Sequence, residues 1–224
     1  MYDDDKRAAA AASLAYVADG DVVGLGTGTT AAYVIEALAE RVKAGLAIRA
    51  VPTSDRTRAL AIGRGIPVVT LADVTAVDVT IDGADEIDPR LALIKGAGGA
   101  LVREKIVAAA SRRVVIVADG SKRVPVLGRG TVPVAVIAFA ESVVARGIAA
   151  LGATAVVRRD DAGAAYITDD GHHVLDCSFG PIADSCALAA TLDAIPGVVE
   201  HGIFVGLASV ALVATDGVVE TMLP

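Results

Sequence analysis

The sequence predicts an α/β fold: a Rossmann-like, mostly parallel sheet with helices on both faces, plus a smaller α+β domain of ferredoxin-like order. Three observations carry this expectation. Through the first 125 residues, short β-branched runs alternate with longer stretches of helical period, the pattern of parallel strands joined by crossover helices. After Gly128-Arg129-Gly130 the texture changes to mixed strand and helix patterns, with a hairpin turn at Asp169-Asp170-Gly171. A last apolar run, 203–214, supplies a strand that can return to the first sheet.

Taken in order, strands are expected at 21–25, 48–51, 77–81 and 114–117, with a weaker run at 91–94. Residues 31–42 place Ile35, Leu38 and Val42 on one helical face, and 100–110 do the same with Val102, Ile106 and Ala109. The second part reads as strand 132–139, helix 141–151, strands 155–159, 165–168 and 174–177, and helix 186–194, an antiparallel sheet of about four strands. The expected domains are 1–129 with 203–224, and a small domain, 130–202, suited to oligomerisation.

Composition excludes several function classes. With 54% hydrophobic residues the 224-residue chain can bury a sizeable core. Its longest uncharged runs, 22–35 and 202–215, fall short of the ~18 residues that suggest a membrane span, so no membrane partner is expected. A net charge of -7, 3% aromatics and no Trp argue against a nucleic-acid surface. Asp3, Asp4 and Asp5 stand where a secretory signal would carry positive charge, so the Ala-rich stretch 8–12 reads as helix. Cys177 and Cys186 lack a CxxC partner and read as free thiols in a reducing cytoplasm.

In an open parallel sheet, ligands bind beyond the carboxyl ends of the strands. Five polar clusters are expected there, on one edge: 24–30 (GLGTGTT), 53–55 (TSD), 82–86 (DGADE), 95–99 (KGAGG) and 119–122 (DGSK). The first is a glycine-rich turn feeding a helix N-terminus, where free amides and the helix dipole attract anions. Thr29 breaks the GxGxxG fingerprint and no Gly-Lys-Ser/Thr follows, which disfavours NAD and ATP. Taken alone, the same turn also fits a tight connection with hydroxyl caps.

The acidic segment 82–88 fits a solvated turn, or a pocket acid or base for hydroxyl protons; a metal site is disfavoured by the missing EF-hand spacing and the lack of a nearby histidine. Of only five lysines, Lys95 and Lys122 stand within these clusters, where an ammonium stabilises a phosphate or a developing oxyanion. Lys95 also precedes a glycine loop able to form an amide nest. Glu104, in the first turn of the next helix, serves either to complement the helix dipole or to face a ligand. His172, His173 and His201 lie away from the clusters and receive no role.

Six ordered blocks, GLGTGTTA (24–31), TSDRT (53–57), IDGADEID (81–88), KGAGGALVREK (95–105), ADGSK (118–122) and IPGVVEHGIF (195–204), together resemble the ribose-5-phosphate isomerase type A family. The resemblance implies cytoplasmic, cofactor-free and metal-free interconversion of ribose 5-phosphate and ribulose 5-phosphate through an enediolate, within the non-oxidative pentose phosphate pathway, by a homodimer or homotetramer. It implies Glu104 as the base between C1 and C2, Lys95 as the stabiliser of enediolate charge, and Asp82 and Asp85 as catalytic residues that hold or protonate sugar hydroxyls and assist ring opening. Thr27, Gly28, Thr29, Thr30, Gly83, Ala84, Gly96, Ala97 and Gly98 would line the substrate site, with Lys6 and Lys122 contacting phosphate. Ala97, Ala135 and Ala138 depart from the family pattern, which has glycine, glutamate and proline there. Related sugar-phosphate deaminases and lactonases lack the support of the 95–105 block, and a non-catalytic sensor would bind without turnover.

Overall fold

The computed structural model describes residues 2–224. In chain order its elements are α1 (Tyr2–Ser13), β1 (Val22–Leu25), α2 (Thr29–Lys43), β2 (Arg49–Pro52), α3 (Asp55–Gly63), β3 (Val79–Asp82), β4 (Glu86–Ile87), β5 (Leu93–Ile94), α4 (Leu101–Ala109) and β6 (Val114–Asp119). There follow β7 (Val132–Val136), α5 (Glu141–Ala150), β8 (Thr154–Val157), β9 (His173–Ser178), α6 (Ser185–Asp193), β10 (Val198–His201), β11 (Ile203–Phe204), β12 (Val210–Thr215) and β13 (Val218–Met222). The chain divides into two compact units, one comprising the chain through Ala84, Arg103–Lys122 and Gly206–Pro224, the other Asp85–Val102 and Arg123–Val205.

The first unit is built on a six-stranded sheet in the order β13-β12-β6-β3-β1-β2, parallel throughout except for the antiparallel edge strand β13. Side chains alternate across it, as the two-residue period of a strand requires. Val23, Leu25, Val79, Ile81, Val115 and Val117 pack with Val34, Ile35 and Leu38 of α2 and with Ala9 and Ala10 of α1. On the alternate positions, Val22 and Val51 pack with Val107 of α4. Each large side chain so buried contributes roughly 1.5–3 kcal/mol. The aspartates of α1 fall in its first turn, where negative charge suits the helix dipole, and its alanines have the highest helical propensity.

In the second unit the order β7-α5-β8-β9-α6-β10 is the ferredoxin-like β-α-β-β-α-β pattern, folded as an antiparallel sheet β10-β7-β9-β8. Val132, Val134 and Val136 of β7 and Leu175 and Cys177 of β9 form its core with Val144 and Ile148 of α5 and Leu192 of α6. Burial, with the neighbouring Asp176 charge, pushes the Cys177 thiol up to about 12. A three-stranded sheet, β11-β5-β4, completes this unit.

The structure corrects several readings. The 91–94 run does not join the parallel sheet: β5 pairs antiparallel with β4 and β11. Strand 165–168 is reduced to isolated bridges, and β10, overlooked in the sequence, takes the fourth place in the antiparallel sheet. The run 203–214 splits at Gly206, so β11 and β12 serve different sheets. α3 and β13 also went unread, since α3 has a weak apolar stripe and β13 is mostly exposed. Residues 85–102, 123–129 and 203–205, expected within the larger domain, fall in the second unit.

Candidate functional site

In the first unit, β1, β2, β3 and β6 run parallel in register, so the segments that follow Leu25, Pro52, Asp82 and Asp119 emerge at one sheet edge. Four of the five expected clusters are therefore neighbours. The fifth, 95–99, follows β5 and lies in the second unit, so the expectation of five clusters on one sheet edge is corrected to four.

The 26–30 turn is held from below. The Gly26 amide donates to the Ile81 carbonyl at 3.0 Å, and the Thr27 amide donates to Asp82 Oδ1 at 3.2 Å. The same Asp82 oxygen accepts the Gly83 amide at 2.7 Å. Gly26 approaches Asp82 so closely that a Cβ there would lie 1.9 Å from Oδ1 and 2.6 Å from the Asp82 Cα. The Thr27 hydroxyl donates to Ser54 Oγ at 2.8 Å and lies 2.9 Å from Thr53 Oγ1, while the Thr57 hydroxyl donates to the Gly26 carbonyl at 2.9 Å. Thr53, Ser54 and Thr57 are buried, and Ser54 also caps α3 by accepting the Thr57 amide at 3.0 Å.

Above this hydroxyl floor, Gly28 at φ 114° starts α2 without a side-chain cap. Gly28 and Thr29 are exposed and Thr30 is half-buried, which leaves the first-turn amides available to an anion. Lys122 ends a 3-10 turn after β6, next to Ser121, whose amide and hydroxyl donate to buried Asp119 at 3.0 and 2.5 Å. Lys6, on α1, pairs with Asp3 at 3.6 Å. Gly83 and Ala84 are half-buried. Glu104 lies in the first turn of α4 and is only 4% exposed, which is far from a solvated dipole-complementing position.

In the second unit, Lys95 is 4% exposed, with Nζ 5.5 Å from the centre of the Phe204 ring and its amide donating to the Gly202 carbonyl at 2.9 Å. The loop that follows turns at Gly96 (φ 104°), closed by the Gly99 amide on the Gly96 carbonyl at 3.0 Å. Ala97 has no positive φ, and its side chain is exposed, so the methyl group in place of a glycine hydrogen is accommodated. Asp85 accepts the Ala97 amide at 2.9 Å. The buried Glu86 carboxylate accepts the Gly128 and Gly130 amides at 2.8 and 2.6 Å, pinning the segment that precedes β7. Ala135 is buried in β7, paired with Val174 and Glu200, and Ala138 opens a 3-10 turn.

The structure thus joins Thr27 to Asp82 and Gly83 in one unit, and Asp85 to Ala97 in the other. Two residues that sequence reasoning missed hold the 96–98 loop: Arg158 donates to the Gly96 and Ala97 carbonyls at 2.9 and 3.0 Å, and the Tyr166 hydroxyl donates to the Gly98 carbonyl at 3.4 Å. The only local sign was a charged residue near the end of a strand-like run.

Comparison with known proteins gives a consistent answer. The family model described as ribose 5-phosphate isomerase A (phosphoriboisomerase A) matches residues 49–217. Ribose-5-phosphate isomerase A of Gloeobacter violaceus is 52% identical over 98% of this chain and 96% of its own length, and that of Nitrobacter hamburgensis is 53% identical over 93% of each. Ribose 5-phosphate isomerase A from Methanocaldococcus jannaschii superimposes with a TM-score of 0.96 at 39% identity, covering both chains fully. A D-ribose-5-phosphate isomerase solved in complex with phospho-erythronic acid gives 0.95 at 38% identity, over 98% of this chain and 97% of that one. On this sequence match, and on a fold shared along its whole length, the chain belongs to the ribose 5-phosphate isomerase A family.

Proposed function

We propose that Glu104 is the base in the interconversion of D-ribose 5-phosphate and D-ribulose 5-phosphate, the activity that family membership assigns to this chain. In the open-chain aldose, Glu104 takes the C2 proton, the electron pair moves onto the carbonyl as an enediolate, and the same carboxylic acid returns the proton to C1. Lys95 stabilises the negative charge on the enediolate oxygens. Asp82 and Asp85 hold the sugar hydroxyls, move the hydroxyl proton between O2 and O1, and assist ring opening. Gly28, Thr29, Thr30, Lys122 and Lys6 receive the phosphate over the floor that Thr27 holds, and its binding energy fixes the reacting carbons beside the base. Gly83, Ala84, Gly96, Ala97 and Gly98 line the sugar.

The observation that carries this reading is the burial of the Glu104 carboxylate on the helix that follows the Lys95 loop. A carboxylate this enclosed is not a surface complement to the helix dipole, which leaves it the role of a base acting on a bound ligand. The phospho-erythronic acid in the solved relative supports the enediolate path: the planar carboxylate of a phosphorylated sugar acid resembles an enediolate.

The reaction needs no metal or organic cofactor in this reading, and chelator is expected to leave the rate unchanged. The protein works in the cytoplasm, as a homodimer or homotetramer whose contacts involve the second unit, where Phe139 is 97% exposed beside exposed Ile137 and Val143. Sedimentation velocity tests the assembly. The test of the catalytic role is Glu104→Gln, expected to lower kcat by about a thousandfold or more while KM changes little, since a base acts mainly in the transition state. Near-normal turnover removes Glu104 from the role.

A further inference from the structure

The glycine loop after Lys95 is restrained by a charged clamp. The planar guanidinium of Arg158, on the segment that continues β8, makes a fork-to-fork pair with Asp176 of β9: Nε to Oδ2 at 3.0 Å and Nη2 to Oδ1 at 2.5 Å. The remaining nitrogen, Nη1, donates to two successive carbonyls, those of Gly96 and Ala97. The arginine side chain is only 14% exposed, and its bonds to Asp176 and to the Gly96 carbonyl are partly buried.

The consequence follows from peptide geometry. In a trans peptide the carbonyl of one residue and the amide of the next point in opposite directions. Drawing the Gly96 and Ala97 carbonyls toward Arg158 therefore turns the Ala97 and Gly98 amides away from it. The Ala97 amide does point away, onto Asp85 at 2.9 Å. With the Ala97 amide held by the Asp85 carboxylate, the Gly98 amide on the same side is the one turned toward a further anion, and the clamp stops either peptide plane from flipping.

Resting on the reading that this chain isomerises ribose 5-phosphate, we propose that Arg158, fixed by Asp176, is a positioning residue of the reaction: without touching substrate, it keeps the 97 amide on Asp85, so that this carboxylate is held in place, and turns the 98 amide to the side where the enediolate oxygens lie. Lysine cannot replace it, because a point ammonium cannot span two carbonyls while also pairing through two parallel bonds with a carboxylate. A loosened loop loses transition-state stabilisation at the reacting carbons and leaves phosphate binding alone.

The test compares Arg158→Ala, Arg158→Lys and Asp176→Asn with the wild type for kcat, KM, and inhibition by inorganic phosphate and by phospho-erythronic acid, with melting temperature as a control. The expected result is a fall in kcat of about 10- to 100-fold in both Arg158 variants, somewhat below the loss of a direct oxyanion donor, and a smaller fall in Asp176→Asn. KM and phosphate inhibition should stay within about threefold, phospho-erythronic acid should bind more weakly, and guanidinium ion should restore part of the Arg158→Ala rate. The proposal is overturned if Arg158→Ala keeps kcat within twofold, if kcat and phosphate affinity fall together, or if guanidinium leaves a folded variant's rate unmoved. Should Arg158→Ala fail to fold, a wild-type rate in Asp176→Asn overturns it equally. A wild-type protein with no isomerase activity would instead refute the underlying reading, so the two failures are distinguishable.

Discussion

The two glycine-rich loops of this chain have similar composition and opposite construction. The 24–30 loop rests on neutral hydroxyls and one aspartate, contributed by Thr53, Ser54, Thr57 and Asp82, and ends in the open first turn of a fifteen-residue helix. The 95–99 loop is a closed turn gripped from one side by a guanidinium and from the other by a carboxylate. The first offers a helix terminus and hydroxyls, a broad site that suits a phosphate. The second offers a fixed backbone, with the Ala97 amide committed to Asp85 and both flanking carbonyls committed to Arg158. Glycine content alone does not distinguish these uses; the groups that hold the loop do.

The comparison is most severely broken at Gly26. Gly26→Ala places a methyl group against the backbone and carboxylate of Asp82, which cannot yield as a flexible side-chain tip would. The loss should be about 3 kcal/mol or more, read as a lowered urea midpoint with little soluble native protein. Gly28→Ala meets open space and only the strain of its positive φ, so it should lose about 1–2 kcal/mol. Equal losses at the two positions would mean that the Asp82 contact does not constrain the loop.

Thr57→Val sharpens the hydroxyl-floor half of the comparison. It leaves the buried Gly26 carbonyl and Ser54 hydroxyl without their threonine partner, and should lower stability by about 1–3 kcal/mol. An unchanged urea midpoint would show the network to be dispensable. Lys122→Ala separates phosphate binding from chemistry: KM for ribose 5-phosphate should rise about tenfold with kcat nearly kept, and an unchanged KM would count against phosphate contact.

The smallest effect concerns the thiols. Cys177 is buried with its pKa raised from 9.0 to about 12, whereas Cys186 is exposed, so a thiol reagent should label one cysteine in the native protein and two after denaturation. Above pH 9 the unfolded chain releases the Cys177 proton and the folded chain keeps it. The unfolded state then binds fewer protons, so this contribution to stability, fully present below pH 9, is lost as pH rises toward 12. Urea midpoints of wild type and Cys177→Ala across that range should converge; parallel curves would contradict the buried thiol.

The same contrast explains what the sequence could tell. The parallel strands and the 24–30 turn were legible because a continuous apolar run ending in a glycine turn has few other solutions in a buried sheet. The 95–99 loop was legible as a motif but misplaced on the sheet edge, since a two-residue strand such as β5 carries no periodicity to say which partner it takes. Arg158 was invisible because its partners lie 62 positions back along the chain at Gly96 and 18 forward at Asp176, and local pattern does not report pairing at such separations. Likewise β10 was hidden in a segment interrupted by a bulge between Val198 and Glu200.

The central claim is that one buried carboxylate carries a hydrogen between adjacent carbons of the sugar. Its most direct test is isotope exchange: ribose 5-phosphate incubated with the protein in heavy water, with deuterium followed by NMR at C1 and C2. The account predicts deuterium at the exchanging carbon with wild-type protein, because an enediolate intermediate lets the base exchange its proton with solvent, and none above background with Glu104→Gln. Isomerisation with no label entering at either carbon, or exchange undiminished in Glu104→Gln, would contradict it.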